Sequence, residues 1–424
     1  MTAAIAALDV SYLRVEPAAQ RIYRFLGRLP AVDIDPDMAA AAAAVTWSEA
    51  QWHLEVLAEE QLIENLPPDA ARAERYRLSD IARSHACSWS EREDTIEARS
   101  EAMRRLCDWM LSTASACQLM LTPLQATLPR TYAFTPSEPL PFGDAAGARA
   151  WLGAQQLNLM AGLRAAAQAG WKDTAWMLAD AMGPLLCLLH PYDLWMEAHQ
   201  IGRDAAREAG NPAAERRMLN SGATGLNSAG RVREAIAWYT ASLEAARTAG
   251  DMRDEGQILL ALGTCYSELG QPEEATSCLE LATKCWKKCG YPRGVALAAI
   301  VLGEIALAAN DLQRAVELFH RAHEILIDAG EQVDAERARA LRGHARVRSG
   351  DYATGTADLR HALSEFEHAG GTRLRARTLD MLGSASRDHG EVAAALHYFQ
   401  AATELYGEFS PDDAARMAQM LEAL

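Results

Sequence analysis

Four of the eight cysteines, Cys265, Cys278, Cys285 and Cys289, fall close together in the chain. The last three are spaced by seven and four residues, which places their thiols on one face of a helix. Thiolates so arranged are able to hold a zinc ion or form a redox pair. The same spacing suits small thiols standing in for Ala or Ser at tight helix contacts, and no C-x-x-C pair is present, so packing is the favoured reading. His320 and His323 lie three apart, with His344 further on. No acidic or cysteine partner is fixed beside them, so they read as surface or groove histidines, and no metal or other cofactor is expected.

Motifs that do chemistry elsewhere are missing. There is no G-x-x-x-x-G-K-[ST] to cradle a phosphate, no G-x-G-x-x-G after a strand, no H-E-x-x-H and no G-x-S-x-G. The chain is expected not to be an enzyme. A net charge of −16 disfavours a general nucleic-acid binder, because neutralising phosphates needs a basic surface. No apolar run approaches the roughly 20 residues that span a bilayer, and the N-terminal residues lack a basic, apolar leader. The expectation is a cytoplasmic protein without a membrane partner.

The elements that position these side chains announce themselves by repetition. Gly170, Gly210, Gly250, Gly290, Gly330 and Gly370 recur every 40 residues. Gly183, Ala223, Gly263, Gly303, Gly343 and Gly383 keep the same frame, as do His190, Gly230, Gly270, Asn310, Gly350 and Gly390. A fourth series reads Trp195, Ala235, Ala275, Ala315, Gly355 and Ala395. The first and third series supply residues that tolerate left-handed backbone and end helices. The fourth supplies the small residue that lets two helices approach. Between the caps, apolar residues recur at helical spacing, as with Ala315, Leu318, Phe319, Ala322, Ile325 and Leu326. Each period is then helix A, turn, helix B, turn, too thin to bury its own apolar face without neighbours.

Residues 1–168 do not follow this frame. Residues 17–29 form a helical stretch with Ile22, Phe25 and Leu26 on one face; 37–45 is a second, and 48–61 a third with Ser48 as N-cap. Leu62-Ile63 and Tyr76-Arg77-Leu78 are short β-like runs about a polar loop at 67–74. Three helices and a hairpin is the order of a winged helix. Its third helix carries Glu49, Glu55, Glu59 and Glu60 without a Lys or Arg, which opposes docking on DNA. Residues 96–121 read as one long amphipathic helix, the Pro-rich 122–142 as a linker, and 145–169 as helix again.

Leu262-Gly263, Tyr266, Gly270, Ala275, Leu279 and Ala282 resemble the tetratricopeptide pattern, as do Leu302-Gly303, Asn310, Ala315, Phe319 and Ala322, and Leu382-Gly383, Gly390, Ala395, Phe399 and Ala402. The period exceeds the usual 34 or so, implying helices about one turn longer. Leu8-Asp9-Val10-Ser11-Tyr12, residues 22–27 and 76–86, Leu106-Cys107-Asp108-Trp109, Ala150-Trp151-Leu152 and Asn158-Leu159 resemble the region that follows the ATPase core in AfsR-like signal-transducing NTPases of the NB-ARC type. These are actinobacterial regulators of secondary metabolism. Their ATPase module would precede residue 1, and its P-loop is not among these residues. The expected fold is all-α: a tetratricopeptide-like helical-repeat superhelix (169–424) preceded by a small winged-helix-like domain (1–86) and a helical linker region (87–168).

The tetratricopeptide resemblance implies that A helices line a concave face. The polar residues of those helices are the candidate binding set: Arg217, Asn220, Thr224, Asn227, Gln257, Thr264, Glu304, Arg337, His344, Arg377, Asp380, Ser384 and Arg387. The apolar Leu260, Leu297 and Leu307 and the small Ser267 share the face, and Arg337, Arg377 and Arg387 form a late basic group. Asn amides and Arg forks in such a groove suit a peptide backbone or carboxylate. The expected function is a non-catalytic regulatory or scaffold protein that binds a protein or peptide, with a homodimer a further partner expectation. The alternative is a small-molecule sensor with a pocket between the N-terminal domain and the repeats, to which Trp171, Trp176 and Trp195 would lend aromatic surface.

Overall fold

The repeat frame folds as its glycines dictate. In a computed structural model, which describes residues 2–123, 127–136, 139–189, 191–369, 371–407 and 409–422, Gly170, Gly210, Gly230, Gly250, Gly270, Gly290, Gly330, Gly350 and Gly390 all have positive φ, and Asn310 takes the same conformation at 60°. Gly370 and His190 of the same series lie outside the described residues. Each cap closes in one way. At the end of one A helix Gly230 N–H donates to the Asn227 carbonyl (2.9 Å) and Arg231 N–H to that of Leu226 (2.9 Å). The pairs at 270–271, 310–311, 330–331, 350–351 and 390–391 repeat this. It is the Schellman arrangement, which satisfies carbonyls that the helix itself cannot. The residue after the cap often opens the next helix: Asn211, Asp251, Asp311 and Asp351 each accept a backbone N–H three residues on.

The elements run α1 (Thr2–Arg14), α2 (Pro17–Arg28), α3 (Pro36–Ala43), α4 (Trp47–Glu59), β1 (Glu64–Leu66), β2 (Arg75–Arg77), α5 (Asp80–Glu93), α6 (Ile96–Leu121), α7 (Ala145–Ala154) and α8 (Gln156–Gln168). The repeats follow as α9 (Lys172–Ala181), α10 (Gly183–Leu189), α11 (Tyr192–Glu208), α12 (Pro212–Ser228), α13 (Val232–Ala249), α14 (Met252–Glu268) and α15 (Pro272–Lys288). They continue through α16 (Pro292–Ala308), α17 (Leu312–Asp328), α18 (Gln332–Arg348), α19 (Tyr352–Ala369), α20 (Thr372–Asp388), α21 (Val392–Gly407) and α22 (Pro411–Glu422). The chain divides into two compact units, Met1–Trp238 and Tyr239–Leu424, with the boundary inside α13.

In the second unit α14, α16, α18 and α20 are A helices, packed on the B helices α15, α17, α19 and α21. The A helices are 17 residues each, which accounts for the long period. A Cβ added to Gly303 would lie 2.6 Å from the Phe319 ring, one on Gly383 2.6 Å from Phe399, and one on Gly263 2.8 Å from Leu279. Only glycine lets A and B approach so closely. Where the fourth series has Gly355 instead of alanine, its partner is Gly343, and the two backbones meet directly. The core of each pair is a buried large residue with alanines around it, as with Phe319 beside Ala315 and Ala322.

In the first unit the helix–helix–helix–hairpin order is present as α2, α3, α4, β1 and β2, with Ile34 bridged to Tyr76. Three local expectations are corrected. Thr46, not Ser48, caps α4: its hydroxyl accepts from Glu49 N–H while the Glu49 carboxylate accepts from Thr46 N–H (2.9 Å), and this reciprocal box fixes the helix start two residues earlier. Leu62 and Ile63 are buried in the turn after α4, and the first strand begins only at Glu64; the second strand ends at Arg77 rather than Leu78. The described residues between α6 and α7 are irregular but anchored. Buried Asp108 accepts from Ala133 and Phe134 N–H (both 2.9 Å), and Leu128, Tyr132 and Phe142 pack on the core.

Candidate functional site

In the first unit one of the A-helix candidates is bound into the interior. Arg217 on α12 donates through Nε to Asp180 on α9 at 2.8 Å, and Arg130 reaches the same carboxylate at 2.5 Å. Gln118 of α6 completes the set by donating to the Asp180 carbonyl. Asp180 is 3% exposed. Burial alone would raise its pKa, but Arg217 and Arg130 outweigh burial and hold the carboxyl below its ordinary range. Nearby His199 is fully enclosed, donates through Nδ1 to the Trp195 carbonyl (2.9 Å) and is pushed down to about 4 by burial. It is a neutral core imidazole. Thr224 is exposed, and its hydroxyl donates to the Asn220 carbonyl within its own helix. Asn220 and Asn227 are partly buried.

The second unit brings several candidates together. Glu304 on α16 meets Arg377 on α20 at 3.1 Å and Arg337 on α18 at 3.9 Å, so three successive A helices converge on one carboxylate. Asp380 on α20 pairs with Arg416 on α22 at 2.9 Å. His344, half-buried on α18, is kept below its ordinary pKa first by burial and then by Arg348 and Arg377, against the opposing pull of Asp380 and Asp388. Gln257, Thr264 and Ser384 lie on the same set of helices outside this group, and the Thr264 hydroxyl is spent on the Leu260 carbonyl. Arg387 turns away to Asp388 and the Met420 sulfur, so the late arginines are not one cluster. Sequence reasoning missed Arg416, because α22 lies past the end of the 40-residue frame.

The other chemical candidates resolve into packing. Cys265 is buried on α14, its thiol pushed up to about 12 by burial; Cys278 and Cys285 on α15 are raised by the same cause. Such thiols are poor nucleophiles and poor ligands. Exposed Cys289 donates to the Trp286 carbonyl. Among the described residues no group of His, Cys, Asp or Glu is placed to hold a metal ion. His323 donates to the Ala335 carbonyl and accepts from Arg339, while Arg342 donates to His320 and forks onto Asp358. Trp176 and Trp195 are core residues, 3% exposed each, and Trp171 stacks under Arg104.

A cavity of about 640 Å³ opens in the first unit between α3, α4, α6 and residues 133–136, with Trp109 and Phe134 in its wall. On α4 the Trp52 ring is 60% exposed beside Glu49, Glu55 and Glu59. Among the described residues no helix is long and apolar enough to cross a membrane.

A tetratricopeptide-repeat family model matches residues 215–288. The chain is similar to regulatory protein AfsR of Streptomyces griseus, 26% identical over 455 residues that cover 98% of this chain and 45% of that protein. Regulatory protein AfsR of Streptomyces coelicolor is 32% identical over 114 residues, covering 26% of this chain and 11% of that one. The chain thus spans less than half the length of these curated relatives. Among solved structures, apo RapI is similar at 14% identity and a TM-score of 0.49, over 60% of this chain and 91% of its own. The chain carries tetratricopeptide-type repeats and is similar to AfsR over almost all of its own length.

Proposed function

We propose that this tetratricopeptide-repeat chain is a non-catalytic regulatory scaffold that binds a protein or peptide along its A-helix face. The observation that carries the reading is the convergence of Glu304, Arg337 and Arg377 from three successive A helices, with Asp380 and Arg416 alongside. Side chains that hold a repeat together are buried and alternate with glycine and alanine. These are partly exposed, charged and shared between repeats, as a recognition surface requires. The wider candidate set, from Asn220, Thr224 and Asn227 through Gln257, Thr264, His344 and Ser384, belongs to the same reading. The relatives carry the name regulatory protein, which supports a regulatory role; control of actinobacterial secondary metabolism is our finer reading, taken from the family resemblance alone. With that role go a cytoplasmic location, a homodimer, and a division into a winged-helix-like 1–86, a connecting 87–168 and repeats from 169.

Fluorescence anisotropy of the purified chain against labelled degenerate peptide pools tests this. Saturable binding that weakens in Arg337→Met and Arg377→Met is expected; no saturable binding to any pool sinks the reading. The second reading, a small-molecule sensor, draws on the 640 Å³ cavity, a size typical of ligand sites, walled by Ala40, Ala44, Val45, Trp109 and Phe134; this cavity lies within residues 40–136 rather than between the N-terminal domain and the repeats. A blind metabolite screen by thermal shift separates the two, since only the sensor is stabilised by a small compound.

A further inference from the structure

We propose that the cavity between α3, α4, α6 and residues 133–136 binds a small planar aromatic carboxylate, its ring against Trp109 and Phe134 and its acid group on Arg105. Such a ligand rests on the small-molecule reading above and needs no peptide on the A helices. Small residues make the space. Ala40 and Ala41 line it from α3, and Ala44 ends that helix in the left-handed conformation, with φ 56°. On the other side stand Phe134 and Trp109, the latter 2% exposed on α6. The volume of about 640 Å³ far exceeds what one water needs and matches small-molecule sites. Flat rings fit between aromatic and alanine surfaces, where each face finds an apolar partner.

The polar groups select the acid. Arg105 is the one cation among the lining residues and Glu49 the one anion. The Arg105 guanidinium lies over the Phe134 ring at 5.1 Å, with Nε donating to the Ala42 carbonyl (3.2 Å) and Nη1 to Glu101 (3.3 Å). These contacts fix the group on the wall, and Nη2 carries no bond among the described residues. The Arg105 side chain is 15% exposed while that of Glu101 is 54% exposed, so this pair compensates the guanidinium only weakly. Glu49 is committed to α4: its carboxylate accepts from the Thr46 amide (2.9 Å) and hydroxyl (2.8 Å), which hold it below the ordinary carboxylate range. Glu49 is also exposed, and a charge contact is worth less in water than at the more enclosed Arg105. An anionic group is therefore drawn to Arg105 and away from Glu49, which orients the ring across the cavity.

Isothermal titration of the full chain with 2-naphthoate, its methyl ester and 2-naphthylmethylamine tests this. The acid is expected to bind about tenfold or more tightly than the ester or the amine, the worth of one charge-assisted hydrogen bond. Arg105→Met should bring the acid to the level of the ester. Ala41→Phe fills the cavity and should abolish binding of all three; if circular dichroism shows it unfolded, Thr135→Phe obstructs the same space from the exposed segment. Binding that survives the filled variant overturns the site. Acid and ester binding alike, acid binding untouched by Arg105→Met, or tight binding of the amine alone overturns the ligand class and leaves the small-molecule reading standing. If none of the three binds but the metabolite screen finds a stabilising compound, the aromatic acid falls and the sensor holds. If neither experiment finds a ligand, both fall.

Discussion

The two units each contain a carboxylate held between two arginines, and they use it in opposite ways. Arg217, Arg337 and Arg377 occupy the same position of the 40-residue frame. In the first unit Arg217, with Arg130, closes on Asp180 in the interior; in the second Arg337 and Arg377 meet Glu304 at the surface. The chemistry is alike, but the surroundings are not. Around Asp180 the long α6 and the anchored segment at 127–136 cover the A-helix face, and Gln118 and Arg130 come from that cover. Around Glu304 the side chains stay partly exposed. A buried ion set fixes structure because any missing member strands a charge, whereas an exposed one is cheap to rearrange and therefore available for exchange.

That contrast breaks if the two carboxylates cost the same to remove. Asp180→Ala leaves the largely buried Arg130 and Arg217 without their counter-charge, and should lower the stability of the chain by about 3 kcal/mol in urea denaturation. A cost under about 1 kcal/mol would mean that water reaches the site. The next effect is acid-dependent. His199 is held neutral in the fold at about 4, against an ordinary 6.5, because burial excludes the imidazolium. The unfolded chain takes up this proton near pH 6.5 and the folded chain does not, so stability drops as pH falls from about 6.5 to about 4 and is insensitive to this group above that window. Between pH 7 and pH 5 the parent should lose about 2 kcal/mol more than a His199→Leu variant, measured by parallel urea titrations. Asp180 acts in the same direction lower down: its carboxyl is depressed, so its contribution is present above its unfolded pKa and fades as pH falls through the folded value. Last and smallest, Glu304→Gln should change stability by no more than about 1 kcal/mol at neutral pH. A larger loss would place Glu304 with Asp180 among the structural groups.

The caps and close contacts were legible because each is a local demand on one residue. Left-handed backbone selects Gly230 or Asn310, and a ring pressed on a helix selects Gly303 against Phe319. Asn211 and Asp251 announce the next helix by the same local logic. Thr46 was equally legible in principle, since Thr-x-x-Glu is a capping box, but Ser48 drew the reading two residues too far. The candidate site was legible as a set of positions and not as a set of roles. Gln257 and Glu304 fall on the same helix face by counting, yet only Glu304 is reached by arginines from other repeats.

The sequence by itself determined the period, the helix ends, and which helices carry the polar candidate residues, because these follow from bonds and contacts between residues close in the chain. Only the tertiary structure decided which arginine is a buried clamp and which a partly exposed ion-pair partner. Arg130 lies 50 residues from Asp180 and Arg377 lies 73 from Glu304. The worth of a charge pair is set by how much water the surrounding fold removes, and no local pattern records that. The two arginine–carboxylate sites share a position in the repeat and differ in what covers them.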